Sequence, residues 1–314
     1  MISIVVPVYK NQDTLRLLAE RLSLALDGED YELIMINDGS PDASLEALRD
    51  LAGEDHRVKV ISLSRNFGQQ SATNAGLSRA RGDELVIMDA DLQDRPEDVP
   101  MLLARLRDDS RPVEIVYTVK TVRHDTMFTR LTSKLFHNAY GRLAAVPVPY
   151  GVGTFRAFSR MVKEELLRYG ERNILYGPLM FSLGFSHDFL DVVHEERIHG
   201  QSSYNFSRRL ALALNTLIRY TDIPYRLFLG MGAAIVALSL LYAMFNIFQY
   251  MVYGRILMGG LALIILLLLF LIGSVFFVLG LLGIYIFQIF QEVLGRPRYH
   301  VALTLNFESP KTPG

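Results

Sequence analysis

"VIMDADLQDRPED", residues 86–98, runs from an apolar stretch directly into a group of carboxylates. Asp89, Asp91 and Asp94 follow straight after Val86, Ile87 and Met88. Carboxylates brought together at the end of a buried strand repel one another unless a positive charge shares the site. Working outward, short apolar runs alternate with helical periodicity. "ISIVVPVY" (2–9), "YELIMIND" (31–38), "RVKVISLS" (57–64), "DELVIMDAD" (83–91) and "VEIVYTV" (113–119) read as strands. "DTLRLLAERLSLAL" (13–26), "PDASLEALRDLA" (41–52), "QSATNAGLSRA" (70–80) and "PEDVPMLLARLR" (96–107) read as helices, the first with Asp13 as N-cap. This βαβα order predicts an α/β fold, Rossmann-like, with a mostly parallel sheet and helices on both faces. In such sheets ligands bind beyond the carboxyl ends of the strands. Those ends carry Tyr9 and Lys10, Asp38, Ser64 and Arg65, and Asp89 to Asp91.

The bulk numbers narrow the function classes. A formal charge of −1 over 314 residues gives no whole-chain field for attracting nucleic acid, and no nucleic-acid partner is expected. The absence of cysteine excludes disulfides and thiolate metal sites. Hydrophobic residues make up 50% of the chain and are concentrated near its end. Leu227–Tyr253 and Ile256–Gln291 each lack a charged side chain, and Arg255 alone interrupts them. Each run exceeds the roughly 20 residues that a helix needs to cross a bilayer core. Arg208, Arg209, Arg219 and Arg226 precede the first run, and Arg296 and Arg298 follow the second. The positive-inside rule then puts both flanks in the cytoplasm. "MISIVVPVYK" has no basic n-region or cleavage site, so the head is expected to stay on that side. The expected organisation is a cytoplasmic catalytic domain over 1–225, two transmembrane helices within 226–290, and a cytoplasmic tail over 291–314.

Asp-x-Asp at a strand end is a device for holding a divalent cation. Mg²⁺ and Mn²⁺ prefer oxygen ligands, and Mg²⁺ is commonly held by one or two carboxylates plus substrate phosphates. In an extended segment alternate side chains share a face, which puts Asp89 and Asp91 together and brings in Gln93. The same spacing also suits a solvated turn whose aspartates cap a helix.

Five stretches in order carry a resemblance: "VVPVYKNQDTL", "INDGSPD", "LSRNFGQQSATNAGL", "RGDELVIMDADLQDRPE" and "LTSKLFH". The set resembles the GT-A-fold family 2 glycosyltransferases, and within them the polyprenyl-phosphate glycosyltransferases that act on undecaprenyl or dolichyl phosphate. The motifs are dense over residues 1–135, and "DADLQD" is far more specific than Asp-x-Asp alone. The resemblance implies a nucleoside-diphosphate sugar donor, with UDP favoured, and Mg²⁺ or Mn²⁺ as cofactor. It implies that Pro7 and Tyr9 belong to a loop around the nucleotide and that Asp38 contacts its base or ribose. It implies catalytic roles for Asp89 and Asp91, and metal and diphosphate contacts for Asp89, Asp91 and Gln93. It also implies location in the inner, cytoplasmic membrane, and a homo-oligomer is compatible with the glycines of the two apolar runs.

The acceptor side reads as basic and amphipathic. In "KTVRHDTMFTRLTSKLFHNAYGRL" (120–143), cationic residues interleave with Met127, Phe128, Leu131, Leu135 and Phe136. Residues 127–143 and 204–220 read as helices suited to a membrane interface. Arginine binds phosphate through paired hydrogen bonds. By resemblance Arg123 and Arg130 are catalytic residues that hold the lipid phosphate, with Lys134 a third contact. "EERIHGQSSYNFSRR" (195–209) resembles the family loop in which Arg197, Ser202 and Tyr204 contact the donor. Arg156 in "GVGTFRAF" (151–158) matches a motif arginine and is expected to bind substrate.

The same motif departs from the family at Thr154, where many relatives carry an acid. A hydroxyl acceptor needs such a base, whereas a phosphate, with a second pKa near ~6, does not. Ser203 in place of a lysine and "YKNQ" (9–12) are further departures. The alternatives are a family 2 transferase with a hydroxyl acceptor and an inactive membrane adaptor of the same fold. A processive polysaccharide synthase is disfavoured because the chain has no tryptophan for that group's signature motif.

Overall fold

The computed structural model of the chain describes residues 1–120, 152–169, 175–193, 260–295 and 297–307, together with residue 234 and most of 241–254. The chain divides into two compact units, one made of Met1–Asn205 with Pro297–Gly314 and the other of Phe206–Arg296.

The first unit is built on an eight-stranded sheet. Its strands are β1 (Ile2–Val8), β2 (Tyr31–Asn37), β3 (Val58–Leu63), β4 (Glu84–Ile87), β5 (Ile115–Lys120), β6 (Val152–Ser159), β7 (His187–Val192) and β8 (Val301–Leu305). They lie in the order β7-β5-β6-β4-β1-β2-β3-β8. The pairs β1–β2, β1–β4, β2–β3 and β5–β7 are parallel, whereas β4–β6, β5–β6 and β3–β8 are antiparallel. The expected mostly parallel α/β sheet is what the chain forms.

The connecting helices are α1 (Leu15–Ala25), α2 (Ser44–Glu54), α3 (Gln69–Arg79), α4 (Val99–Leu106), α5 (Arg160–Arg168) and α6 (Tyr176–Ser182). Alternate residues of the central strands bury into two separate cores, as the pleat dictates. Ile4, Val6, Leu33, Met35, Val86 and Met88 join Leu15, Leu18, Leu48 and Leu102 on one face. Val5, Ile34, Ile36 and Ile87 join Ala72, Ala75, Val162 and Leu179 on the other. Helix α3 sits close to the sheet because its buried face is small. A Cβ at Gly76 would lie 2.5 Å from Val5 Cγ1 and 2.7 Å from Ile36 Cδ1.

Three local expectations need correction. The N-cap of α1 is Thr14, not Asp13. The Thr14 hydroxyl makes no capping bond; it donates to the Ala90 carbonyl at 2.6 Å, with the Asn11 carbonyl 3.0 Å away as its alternative acceptor, so it ties α1 to the aspartate segment. Strand β4 ends at Ile87 rather than Asp91. The residues after Arg296 are more than a tail, because Val301–Leu305 completes the sheet edge beside β3.

The described part of the second unit contains one long helix, α7 (Gly260–Val293), of 34 residues. Large apolar side chains along it are exposed, among them Ile272, Leu279, Ile286 and Phe290. Some of its side chains lie outside the described residues, and among the described residues no helix is long and apolar enough to cross a membrane. The two-span hairpin therefore stays an expectation from sequence. The expected interfacial helices at 127–143 and 204–220 lie outside the described residues.

Candidate functional site

The site forms where β1, β2 and β4 end side by side. Parallel register brings Val8 beside Asn37 and Val5 beside Ile87, and β6 sets Arg156 opposite Ile87. The residues that follow these strands meet at one edge of the sheet. Two non-glycine residues there adopt left-handed backbone: Lys10 after β1 and Leu92 after β4, each at φ 60°. Such conformations cost on the order of 1 kcal/mol and persist where the surroundings dictate them. Leu92 is held by full burial in the core.

Asp38 follows β2 and is only 2% exposed. Its backbone N–H donates to the Val8 carbonyl at 2.9 Å. Its carboxylate accepts the N–H of Phe67 at 2.7 Å and of Gly68 at 2.9 Å. Burial pushes this carboxyl above the usual aspartate range, and the two N–H groups offset part of that rise. Gly39 must be glycine. Its φ is 60°, and a Cβ would lie 2.4 Å from the Arg65 carbonyl carbon. Asp38 and Gly39 thus grip the loop 65–68 from one side.

That loop leads straight to the next carboxylate. Gln69 opens α3, and its Nε2 donates to Asp89 Oδ1 at 2.6 Å. The Thr154 hydroxyl donates to Asp89 Oδ2 at 2.9 Å. Asp89 is therefore oriented from two sides by neutral donors, and residues 67–69 connect it to Asp38. The half-buried segment beyond it is a compact turn. Asp89 N–H donates to Asp94 Oδ2 at 3.2 Å, and Gln93 N–H donates to Asp91 Oδ1 at 3.2 Å. Strand alternation does not govern this segment, because β4 has already ended and Leu92 reverses the backbone.

Arg156 is 5% exposed. Its guanidinium donates to the carbonyls of Thr154 (2.9 Å) and Gly153 (3.0 Å), contacts Met180 Sδ at 3.4 Å, and lies 5.6 Å above the Tyr117 ring. Burial lowers its pKa, while Tyr117, Asp89 and Asp94 act in the opposite direction. As placed, it braces the β6 backbone that carries Thr154. Beneath it, the Tyr117 hydroxyl is buried with no hydrogen-bond partner among the described residues, and burial pushes that phenol up to about 12.

Of the residues expected from sequence, Asp38, Asp89, Asp91, Gln93 and Arg156 meet at this edge. Pro7 lies within β1 opposite Ile36 and is buried, so the loop begins after it. Tyr9 is 42% exposed at the mouth of the loop, with Lys10 Nζ 5.6 Å from its ring. Arg123, Arg130, Lys134, Arg197, Ser202 and Tyr204 lie outside the described residues. Gln69 carries no sequence expectation; its signal is only its place after a strand in the Asn-Phe-Gly-Gln run.

Among the described residues, no three His, Cys, Asp or Glu side chains gather to hold an ion by themselves. The donor set at the turn is all oxygen: Asp89, Asp91 and the Gln93 amide. That set fits a hard divalent cation completed by phosphate oxygens rather than a closed protein cage.

Residues 3–167 match the family described as Glycosyl transferase family 2. A Shewanella sediminis (strain HAW-EB3) protein named undecaprenyl-phosphate 4-deoxy-4-formamido-L-arabinose transferase is 35% identical over 315 residues, covering 99% of this chain and 94% of that protein. A Bacillus subtilis (strain 168) protein named uncharacterized glycosyltransferase YkcC is 33% identical over 312 residues, covering 98% of this chain and 95% of that protein. The crystal structure of glucosyl-3-phosphoglycerate synthase from Mycobacterium tuberculosis, in complex with Mn²⁺, UDP and phosphoglyceric acid, is similar in fold. It has a TM-score of 0.50 at 19% identity, covering 69% of this chain and 76% of that one.

Proposed function

The chain belongs to glycosyl transferase family 2, and on that premise we propose that it moves a sugar from a nucleoside-diphosphate donor, UDP favoured, to the phosphate of a polyprenyl lipid. It is a glycosyltransferase with a GT-A-like fold. The observation that carries the proposal is the strand-end cluster in which residues 67–69 tie Asp38 to Asp89. In this reading the nucleoside lies between Tyr9 and the loop 64–68. The diphosphate lies against Asp89, Asp91 and Gln93.

A Mg²⁺ or Mn²⁺ ion held by Asp89, Asp91 and Gln93 would supply neutralisation of the charge that develops on the leaving diphosphate. Gln69 and Thr154 hold the Asp89 carboxylate in one orientation, so no reorganisation is needed at the moment of reaction. An acceptor phosphate oxygen forms a bond to the anomeric carbon as the bond from that carbon to the diphosphate breaks. The electron pair leaves with the nucleoside diphosphate, and a single displacement inverts the anomeric centre. The acceptor phosphate is already ionised near neutral pH, so no proton has to be removed. That is consistent with a hydroxyl at Thr154 donating to Asp89, where a hydroxyl acceptor would call for a base. Arg123, Arg130 and Lys134 are assigned to the acceptor phosphate, and Arg197, Ser202 and Tyr204 to the donor side.

The membrane belongs to the same proposal. The uncharged runs Leu227–Tyr253 and Ile256–Gln291 each exceed the roughly 20 residues that a spanning helix needs, and α7 overlaps the second. The exposed phenylalanines, leucines and isoleucines of α7 suit lipid rather than water. The catalytic unit is placed on the cytoplasmic side, where nucleotide sugars and the lipid phosphate meet. Oligomers through the apolar helices are compatible with this arrangement.

The test uses detergent-purified full-length protein with Mn²⁺, undecaprenyl phosphate and a panel of UDP- and GDP-sugars. The lipid is weighed by mass spectrometry. The expected result is lipid heavier by one sugar residue, with one nucleoside diphosphate released per product. Nucleotide release with the lipid mass unchanged would refute the acceptor assignment.

A further inference from the structure

The loop that binds Asp38 is held from its other side by the C-terminal segment. After α7 the chain returns as β8 and pairs antiparallel with β3, Val60 opposite Leu305 and Ser62 opposite Leu303. The pairing continues past β3, where Ser64 N–H donates to the His300 carbonyl at 2.9 Å. The His300 ring then meets the Phe67 ring, centroids 6.1 Å apart. Phe67 N–H is one of the two donors to Asp38, and Gln69, two residues on, donates to Asp89.

The segment is pinned along its whole length. Arg298 donates to the Tyr169 carbonyl, and Tyr299 Oη lies 3.3 Å from Ser78 Oγ on α3. Asn306 turns the chain at φ 60° and donates to the carbonyls of Ala52 (2.6 Å) and Val58 (2.8 Å). Phe307 lies beneath two cations, Lys59 Nζ at 5.7 Å and the Arg79 guanidinium at 5.5 Å. These contacts fix β8 independently of the single bond it makes to the loop. The loop 64–68 thus sits between Gly39, whose backbone leaves no room for a Cβ, and His300.

We propose that residues 297–307 are a positioning element for the nucleoside-diphosphate site, with His300 its contact residue: they set the loop 64–68 and through it Asp38 and Gln69. The inference rests on the donor assignment above. It adds that the segment following the apolar helix is a working part of donor recognition.

Two measurements on the full-length protein test it, with UDP and GDP in the presence of Mn²⁺ as probes. Hydrogen exchange should slow together in residues 64–69 and 299–305 when the nucleotide binds. Calorimetry on His300→Ala should show nucleotide binding weakened about 3- to 10-fold, the scale of one aromatic contact. His300→Phe, which restores a ring against Phe67, should recover most of that loss. The thermal midpoint and undecaprenyl phosphate binding should stay unchanged in both variants. Slowed exchange confined to 64–69, or His300→Ala binding nucleotide as the unaltered chain does, overturns this inference alone. A parallel fall in nucleotide binding and thermal midpoint that His300→Phe does not rescue also overturns it, because the contact is then merely structural. Full-length protein that binds neither nucleotide overturns the donor assignment and this inference with it.

Discussion

Strand β2 carries a buried carboxylate near each end, and the two are treated differently. Glu32, near its start, is 2% exposed and fully partnered. It accepts from Ser3 Oγ (2.5 Å) and Arg81 N–H (2.6 Å) and pairs with Lys59 Nζ at 2.5 Å. Asp38, just past its end, is equally buried yet accepts only from two backbone N–H groups. No cation lies within ion-pair distance of it among the described residues. Burial alone would raise both pKa values. The partners of Glu32 reverse that effect and hold it below the usual glutamate range, whereas Asp38 remains above the usual aspartate range. The amino end of the sheet closes its charge account internally. At the carboxyl end Asp38 has only backbone N–H partners among the described residues, and a buried carboxyl with a raised pKa is a feature of binding edges.

Breaking the carboxyl end should cost function and spare the fold. Asp91→Ala should lower turnover at least about 1,000-fold, as expected when a charge-stabilising contact to the leaving group is lost. Its thermal midpoint should stay within a few degrees. Normal turnover would sink the metal assignment. Breaking the amino end should do the reverse. Glu32→Ala removes one partner of a buried pair and should cost about 3 kcal/mol in denaturant unfolding, with activity per folded molecule retained.

Asp38→Asn sharpens the contrast, because it keeps the shape but points an amide N–H toward a backbone N–H. It should cost about 2 kcal/mol and raise the donor KM. An unchanged donor KM would make Asp38 a fold residue like Glu32. Thr154→Val removes the hydroxyl that donates to Asp89 Oδ2 and should lower turnover about 5-fold, the worth of a single hydrogen bond. No change would mean that the Thr154 hydroxyl is not needed to orient Asp89.

The two carboxylates also differ in the sign of their pH dependence. The Glu32 value is lowered on folding, so its contribution is present above the unfolded value of about 4.3 and is lost as pH falls through the lowered folded value. The Asp38 value is raised, so its contribution is present below about 3.9 and is lost as pH rises through the raised folded value. Denaturant titrations of Glu32→Gln across that acid range should show a flatter loss of stability than those of the unaltered chain. An identical slope would mean that other carboxylates dominate acid unfolding.

Most of the sheet centre was legible because burial on both faces leaves unbroken runs such as Ile2–Val8 and Tyr31–Asn37, with polar stops after them. What failed was non-local. "VALTL" at 301–305 alternates like a strand but is short and follows a long apolar helix. Only the open edge of β3 makes it part of the sheet. Asp13 looked like a cap because the sequence cannot show that Ala90 lies near Thr14. The Asp89 and Asp91 positions were visible as a motif, but not the turn between them, since a left-handed Leu92 has no signature beyond its burial. Gln69 stayed hidden because a glutamine at a helix start fits many roles. Its role follows from a partner 20 residues away, in the turn just past the end of β4.

The most direct measurement is calorimetry of UDP binding to the full-length chain, with Mn²⁺ and with EDTA, before and after Asp91→Ala. The account predicts binding that requires Mn²⁺, is lost in Asp91→Ala, and survives Glu32→Gln. UDP binding that ignores both the metal and Asp91 would contradict it.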